Sequence, residues 1–144
     1  GFTQSIEPLL ERYHKKALVL GTGGASKAII FSLKSLGIET LTVSRYERHG
    51  CVRYEDITPE MIKEYNVIVN CTPCGMYPQT DDCPNLPYEA MDNHTLLYDL
   101  IYNPDETLFL KKGKAQGATV KNGLEMLLLQ AFASWNFWNS DADK

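Results

Sequence analysis

Ala17-Leu-Val-Leu-Gly-Thr-Gly-Gly-Ala-Ser26 is the stretch that decides the fold of this chain. Its leading apolar residues predict a short buried strand, and apolar residues at helical spacing follow the glycines as far as Gly37. A glycine-rich turn between a strand and a helix is typical of dinucleotide-binding folds, where the turn and the helix amide groups hold a pyrophosphate. The spacing here is G-x-G-x-x-S, with Ser26 where a glycine or alanine is usual. An ordinary turn is the alternative, and the flanking strand and helix favour the dinucleotide site.

The same alternation of strand and helix continues along the rest of the chain. Further strands are predicted at residues 40–43, 67–69, 95–100 and 118–120, and further helices at 2–13, 56–65, 104–117 and 124–137. Within 56–65, Thr58 is suited to be the N-cap and Pro59 the first helical residue. This order indicates an α/β protein, a three-layer Rossmann-type fold with a mostly parallel sheet of about six strands. In such sheets ligands bind beyond the carboxyl ends of the strands.

The composition indicates one compact domain. With 144 residues, 44% of them hydrophobic, the chain predicts a single domain over residues 1–138 and a disordered polar tail at 139–144. Eighteen acidic and fourteen basic residues give a net charge of −4, which argues against nucleic acid or an anionic membrane as partner. No apolar run reaches the length of a membrane span and no signal segment is present, so we expect a soluble cytoplasmic protein. Gly1 stands where an initiator Met is expected, which favours a piece of a longer protein.

The end of the second predicted strand indicates which dinucleotide is bound. An acidic residue there would accept hydrogen bonds from the ribose hydroxyls of NAD. This chain has Ser44-Arg45-Tyr46-Glu47-Arg48 instead, and an arginine offers a forked set of donors to the 2′-phosphate of NADP. The sequence therefore favours NADP. Glu47 keeps NAD open as the alternative, since it could reach a ribose if the loop is shifted.

The cysteines and histidines predict no metal or redox site. Cys71 and Cys74 have CxxC spacing, but no second pair completes a zinc set, and they follow a strand rather than begin a helix. We therefore expect all four cysteines to be reduced thiols. His14, His49 and His94 have no metal-like spacing, and we expect them at surface or loop positions.

Three further segments, each after a predicted strand, make a family resemblance specific. They are Asn70-Cys-Thr-Pro-Cys-Gly-Met76, Tyr98-Asp-Leu-Ile-Tyr-Asn-Pro104 and Asn122-Gly-Leu-Glu-Met-Leu-Leu-Leu-Gln-Ala131. Together with the glycine-rich turn, in this order and spacing, they resemble the carboxy-terminal domain of shikimate dehydrogenases. The resemblance extends from Gly1 to about Trp138, and Gly1-Phe2 itself resembles the end of the family's N-T-D-x-x-G-F segment.

The resemblance implies a role for each candidate site residue. It places the pyrophosphate at Gly21, Gly23, Gly24 and Ala25, and the 2′-phosphate at Ser44, Arg45 and Arg48. It places the nicotinamide end of the cofactor at Leu100, Gly123 and Met126, and the substrate's carboxylate and hydroxyls at Tyr102 and Gln130. The family usually reads N-R-T at the phosphate clamp, so the Ser44-Arg45-Tyr46 of this chain keeps the arginine and alters its neighbours.

The resemblance also implies an activity, the reduction of 3-dehydroshikimate to shikimate with NADPH. In the family a Lys–Asp pair of the amino-terminal domain manages the hydroxyl proton, and no residue of this chain occupies its positions. We therefore expect NADP binding without a catalytic pair, a missing amino-terminal domain as partner, and exposed apolar surface that can drive homodimers. The alternatives are a quinate/shikimate dehydrogenase that uses NAD and a non-catalytic dinucleotide-binding module.

Overall fold

The strands of this computed structural model, which describes residues 1–131, form one sheet. They are β1 (Lys16–Leu20), β2 (Glu39–Ser44), β3 (Cys51–Arg53), β4 (Val67–Asn70), β5 (Leu96–Asp99) and β6 (Thr119–Lys121). All neighbouring pairs are parallel, and the order across the sheet is β3-β2-β1-β4-β5-β6. The predicted six-stranded parallel sheet is confirmed. The predicted tail at 139–144 and the end of the predicted helix 124–137 lie outside the described residues.

Helices cover both faces of the sheet and make it the middle of three layers. They are α1 (Phe2–Ile6), α2 (Gly24–Ser35), α3 (Pro59–Glu64), α4 (Leu108–Ala115) and α5 (residues 124–131). The alternation of side chains along β1 builds the two cores: Ala17 and Val19 pack with α1 and α2, whereas Leu18 and Leu20 pack with α3 and α4. Both cores are buried apolar clusters, as expected for a parallel sheet covered on two sides. The three-layer Rossmann-type fold is confirmed.

The first and last described helices share one face of the sheet. Phe2 of α1 belongs to a buried apolar cluster, and Met126 of α5 packs against that cluster. A Cβ added to Gly1 would lie 3.2 Å from Cγ of Gln130, so the start of the chain also meets α5. The amino-terminal helix is nevertheless shorter than predicted: α1 ends at Ile6 and continues as a 3₁₀ turn, Glu7–Leu9, around Pro8. Proline lacks the N–H that a longer α-helix requires.

His14 lies in the loop before β1, as predicted, but it is buried there rather than exposed. It is 8% exposed, its Nδ1 accepts a hydrogen bond from the Glu11 N–H at 2.9 Å, and its Nε2 donates to the carbonyl oxygen of His94 at 2.9 Å. One ring nitrogen accepts and the other donates, which is the pattern of neutral imidazole. Burial lowers the pKa of His14, in keeping with that neutral form.

Candidate functional site

The strand order reverses between β1 and β4, and two clefts open at the carboxyl ends of the strands there. The larger, of about 940 Å³, is lined by Gly21–Gly23 after β1, Ser44–Tyr46 after β2 and a long segment after β4. The smaller, of about 430 Å³, is lined by residues 71–73, 76 and 77 and by residues 100–103 after β5. Residues 71–73, 76 and 77 line both clefts. The site therefore lies at the topological switch point, where α/β sheets bind ligands.

The glycine-rich turn has the geometry that the sequence predicts. Gly21 has φ +112°, and a Cβ there would lie 3.1 Å from Cγ2 of Thr72, so conformation and space both require glycine. A Cβ on Gly23 or Gly24 would meet nothing within 4 Å, which leaves open space before the amino end of α2. The Ser26 hydroxyl donates to the Gly23 carbonyl at 2.6 Å and lies inside the first helical turn. The first N–H groups of an α-helix have no partner within the helix, and helix amino ends of this kind are suited to anions.

The loop after β2 brings Arg45 to the larger cleft and Arg48 to the glycine-rich turn. Arg45 is exposed, and its guanidinium lies over the ring of Tyr46 at 5.8 Å from the centroid. Nη1 of Arg48 donates to Oγ1 of Thr22 at 3.4 Å, which joins this loop to the glycine-rich turn. The buried Oγ of Ser44 accepts from the Tyr46 N–H at 3.2 Å and shapes the loop. Thr22 lines the cleft and is a candidate site residue that sequence reasoning missed, because the fingerprint leaves its position unspecified.

The residues predicted for the nicotinamide and the substrate are only partly brought together. Leu100 and Tyr102 line the smaller cleft, and Tyr102 is 47% exposed. Gly123 is buried directly beneath Leu100, where a Cβ would overlap the Leu100 carbonyl group. Met126 is half-buried against the core, and Gln130 is exposed beside Gly1. The predicted residues that line neither cleft are Gly24, Ala25, Arg48, Gly123, Met126 and Gln130.

A buried polar network beneath the two clefts was missed as such by sequence reasoning. Oδ1 of Asp99 accepts from Nδ2 of Asn70 and from the Ile101 N–H, each at 3.1 Å, and its Oδ2 accepts from the Thr107 hydroxyl at 2.7 Å. Oδ1 of Asn70 accepts from the Thr72 N–H at 3.1 Å and from the Thr72 hydroxyl at 2.6 Å. Burial raises the pKa of Asp99 to about 6, although the hydrogen bonds favour its ionised form. The signal was present, since Asn70 and Asp99 are polar residues that end two apolar strands.

The two cysteines of the CxxC segment lie in the wall of the larger cleft. The structure shows all four cysteines of the chain as free thiols. Burial raises the pKa of Cys71 to about 12 and raises that of Cys74 as well. Thiols in this state are poor nucleophiles and poor metal ligands, because both roles need the thiolate. The cysteines therefore contribute surface to the cleft rather than reactivity.

Comparison with known proteins gives close relatives over nearly the whole chain. No family model matches it. The shikimate dehydrogenase (NADP(+)) of Crocosphaera subtropica is 35% identical over 96% of this chain and 55% of its own length, and that of Caldanaerobacter subterraneus is 34% identical over 98% and 56%. The chain thus spans about half the length of the curated relatives it matches.

Solved structures agree with the sequence relatives. The crystal structure of shikimate dehydrogenase from Aquifex aeolicus has a TM-score of 0.80 and 32% identity, over 96% of this chain and 54% of that one. The enzyme from Thermus thermophilus, in complex with NADP(H) and shikimate, has a TM-score of 0.79 and 28% identity over the same 96% and 54%. By sequence and by fold, this chain is therefore similar to the shikimate dehydrogenases, of whose length it spans about half.

Proposed function

We propose that this chain binds NADP(H) as the cofactor-binding half of a shikimate dehydrogenase, and that the whole protein reduces 3-dehydroshikimate to shikimate. The observation that carries the proposal is the cleft at the switch point, onto which the glycine-rich turn and Arg45 both open. The turn suits a pyrophosphate and Arg45 suits a second, separate phosphate, and NADP contains both groups. The NADP(+) specificity of the relatives' enzymes supports the same choice.

In the proposal, residues of this chain hold each part of the dinucleotide. The amide groups of Gly23, Gly24 and Ala25 would hold the pyrophosphate in the open space before α2. Ser44, Arg45 and Arg48 would hold the 2′-phosphate, and the contact of Arg48 with Thr22 keeps that arginine close to the turn. The nicotinamide end would lie at Leu100, with Gly123 and Met126 behind it. NADPH supplies the hydride that reduces the substrate's carbonyl carbon.

Part of the substrate site also belongs to this chain in the proposal. Tyr102 lines the smaller cleft with much of its side chain exposed, and its phenol can bond to a carboxylate or hydroxyl. Gln130 would contribute from α5. The proton of the product hydroxyl needs an acid–base pair, which we assign to the amino-terminal domain of the whole protein, with which this half would form the complete site.

Two alternative functions remain to be separated from this one by experiment. A quinate/shikimate dehydrogenase that uses NAD would need an acidic partner for the ribose, and Glu47 is the candidate. Ser44, Arg45 and Tyr46 line the larger cleft whereas Glu47 does not, which favours NADP. A non-catalytic dinucleotide-binding module would lack the acid–base pair in the whole protein. The sequence upstream of Gly1 distinguishes it, since an enzyme requires a lysine and an N-T-D segment there.

Calorimetric titration of the chain tests the proposal directly. Adenosine 2′,5′-bisphosphate and AMP differ only in the 2′-phosphate, as NADP and NAD do. We expect the member of each pair that carries the 2′-phosphate to bind at least about tenfold more tightly, because a charge-assisted contact contributes roughly 1.5–3 kcal/mol. Equal affinity within both pairs would favour the NAD-using enzyme. Failure of all four compounds to bind would contradict the dinucleotide site itself.

A further inference from the structure

Two segments that line the clefts, residues 71–77 after β4 and 100–103 after β5, meet over one buried carboxylate. We propose that Asp99 is the positioning residue of the site, tying both segments and the amino end of α4 into the one arrangement that admits the dinucleotide. The proposal rests on the proposed function for the identity of the ligand. It assigns Asp99 no contact with cofactor or substrate.

Asp99 occupies a position at which a charge is costly. Its side chain is fully buried, and none of the ion pairs within residues 1–131 includes it. A buried carboxylate is tolerated only where hydrogen bonds replace water. Three donors do so here, and they come from three separate parts of the fold: β4 through Asn70, the segment after β5 through Ile101, and the N-cap of α4 through Thr107.

The carboxylate of Asp99 determines which group donates and which accepts in each hydrogen bond of the network. An ionised carboxylate only accepts, so Asn70 must present its NH₂ group to Asp99 and its carbonyl oxygen to Thr72. The Thr72 hydroxyl then donates to Asn70 and accepts from the Cys74 N–H at 3.2 Å. The anion at the end of β5 thereby orients the backbone of the segment after β4.

The oriented backbone is the wall shared by the two clefts. Thr72 lines both, and its methyl group limits the space beside Gly21 of the glycine-rich turn. The Tyr77 N–H also donates to the Asn103 carbonyl at 3.1 Å, so the two segments are joined a second time at their outer ends. Loosening Asp99 would therefore move the surface on which the middle of the dinucleotide would lie.

Thr107→Val tests the network without changing its shape. Valine has nearly the volume of threonine, but it removes the donor to Asp99 and the N-cap acceptor of the Leu110 N–H. Thr107→Ser restores the hydroxyl. Thr58→Val is the matched control, because Thr58 caps α3 in the same way, through the Met61 N–H at 3.2 Å, with no connection to Asp99.

Two measurements are made on each variant: the Kd for NADP and hydrogen exchange at the amides of Thr72, Cys74 and Ile101. We expect Thr107→Val to weaken NADP binding about tenfold and to accelerate exchange at these amides by a similar factor, as the loss of one buried charge-assisted hydrogen bond implies. Thr107→Ser and Thr58→Val should match the unmodified chain in both. Unchanged binding and exchange in Thr107→Val, or equal effects in Thr58→Val, would overturn the proposal.

The exchange measurement separates this proposal from the proposed function. If the unmodified chain fails to bind NADP, the proposed function is wrong, and exchange without ligand still shows whether Asp99 holds the two segments. If the unmodified chain binds NADP and Thr107→Val binds it equally well, the proposed function stands and the positioning role of Asp99 is wrong.

Discussion

At the scale of single residues, the charge of Arg45 is the feature that we propose to distinguish NADP from NAD. Arg45→Asp removes a charge-assisted contact and places a carboxylate beside the 2′-phosphate. We expect NADP binding to fall by about 10- to 100-fold, since such a contact contributes roughly 1.5–3 kcal/mol, and NAD binding to change much less. Calorimetric titration with both cofactors measures the difference.

Arg12→Asp is the control for this substitution. Arg12 is an exposed residue near the amino ends of the strands, so the change alters the net charge equally without reaching the cleft. Equal losses of NADP and NAD affinity in Arg45→Asp, or a similar loss in Arg12→Asp, would mean that Arg45 does not bind the 2′-phosphate specifically.

The buried carboxyl group of Asp99 leads to a second prediction at this scale: the free energy of unfolding of the chain depends on pH. Its pKa is raised from 3.8 to about 6 by burial. Between these values the folded chain keeps a proton that the unfolded chain has released, so the stabilising contribution is present below pH 4 and is lost as the pH rises through 6. We expect the free energy of unfolding of the unmodified chain, minus that of Asp99→Asn, to fall by about 2–3 kcal/mol from pH 4 to pH 7.

The other titratable groups that face Asp99 do not contribute to this difference in stability. They are Cys71, Cys74 and Tyr88, whose pKa values are all raised by burial, so each is uncharged from pH 4 to 7. Asp92→Asn gives a control of opposite sign, because the hydrogen bond from Lys63 lowers the pKa of Asp92 and its contribution is lost as the pH falls. Denaturant titrations at several pH values measure both differences. A difference for Asp99→Asn that stays constant with pH would contradict the raised pKa.

At the scale of elements, a hydrogen bond between two buried hydroxyl groups joins α1 to β5. The Ser5 hydroxyl donates to the Phe2 carbonyl at 2.8 Å, so the Tyr98 hydroxyl, 2.5 Å from Ser5 Oγ, is the donor to it. Ser5→Ala should lower the free energy of unfolding by about 1–3 kcal/mol, because it leaves the buried Tyr98 hydroxyl without this partner. In the double variant with Tyr98→Phe the cost should be less than the sum of the two single costs. Strict additivity in denaturant titrations would show that the pair does not couple α1 to β5.

Elements were predictable where a local signal specified them. Thr58 and Pro59 predicted the start of α3, and the Thr58 side chain does accept from the Met61 N–H. The strand β3 was not among the predicted ranges, because Cys51-Val-Arg53 is too short to show a period and forms only through pairing with β2. The helix predicted from residue 104 begins at Leu108, where Thr107 caps it while bonded to Asp99. The first residue of α4 therefore depends on a tertiary contact, which the spacing of apolar residues in the sequence does not reveal.

At the scale of the whole molecule, the order of strands and helices was enough to predict the architecture and the edge of the sheet that holds the site. The glycine-rich turn and Arg45 followed from local chemistry, and both lie at the larger cleft. The hydrogen-bonded network beneath the cleft was missed. Asn70 and Asp99 stand out in the sequence as polar ends of apolar strands, but they meet each other and Thr107 only after the sheet has formed. The burial of His14 in its loop was not foreseen for the same reason, since its partner His94 lies across the fold.

The last prediction concerns the activity of the chain as a whole. We expect it to bind NADP and yet to show no measurable shikimate-dependent reduction of NADP. The phosphate contacts that we propose come from the glycine-rich turn and the loop after β2, both of which belong to this chain. Proton transfer by a positioned group contributes roughly 10²–10⁴-fold, and substrate positioning contributes more. Tyr102 and Gln130 provide neither the acid–base pair nor a closed site, because they lie on an exposed surface within residues 1–131. Absorbance at the NADPH band, with saturating shikimate and NADP, measures turnover beside a full-length shikimate dehydrogenase. Turnover within about tenfold of that enzyme would mean that this chain carries its own acid–base group, a contribution the proposed mechanism assigns to the other half.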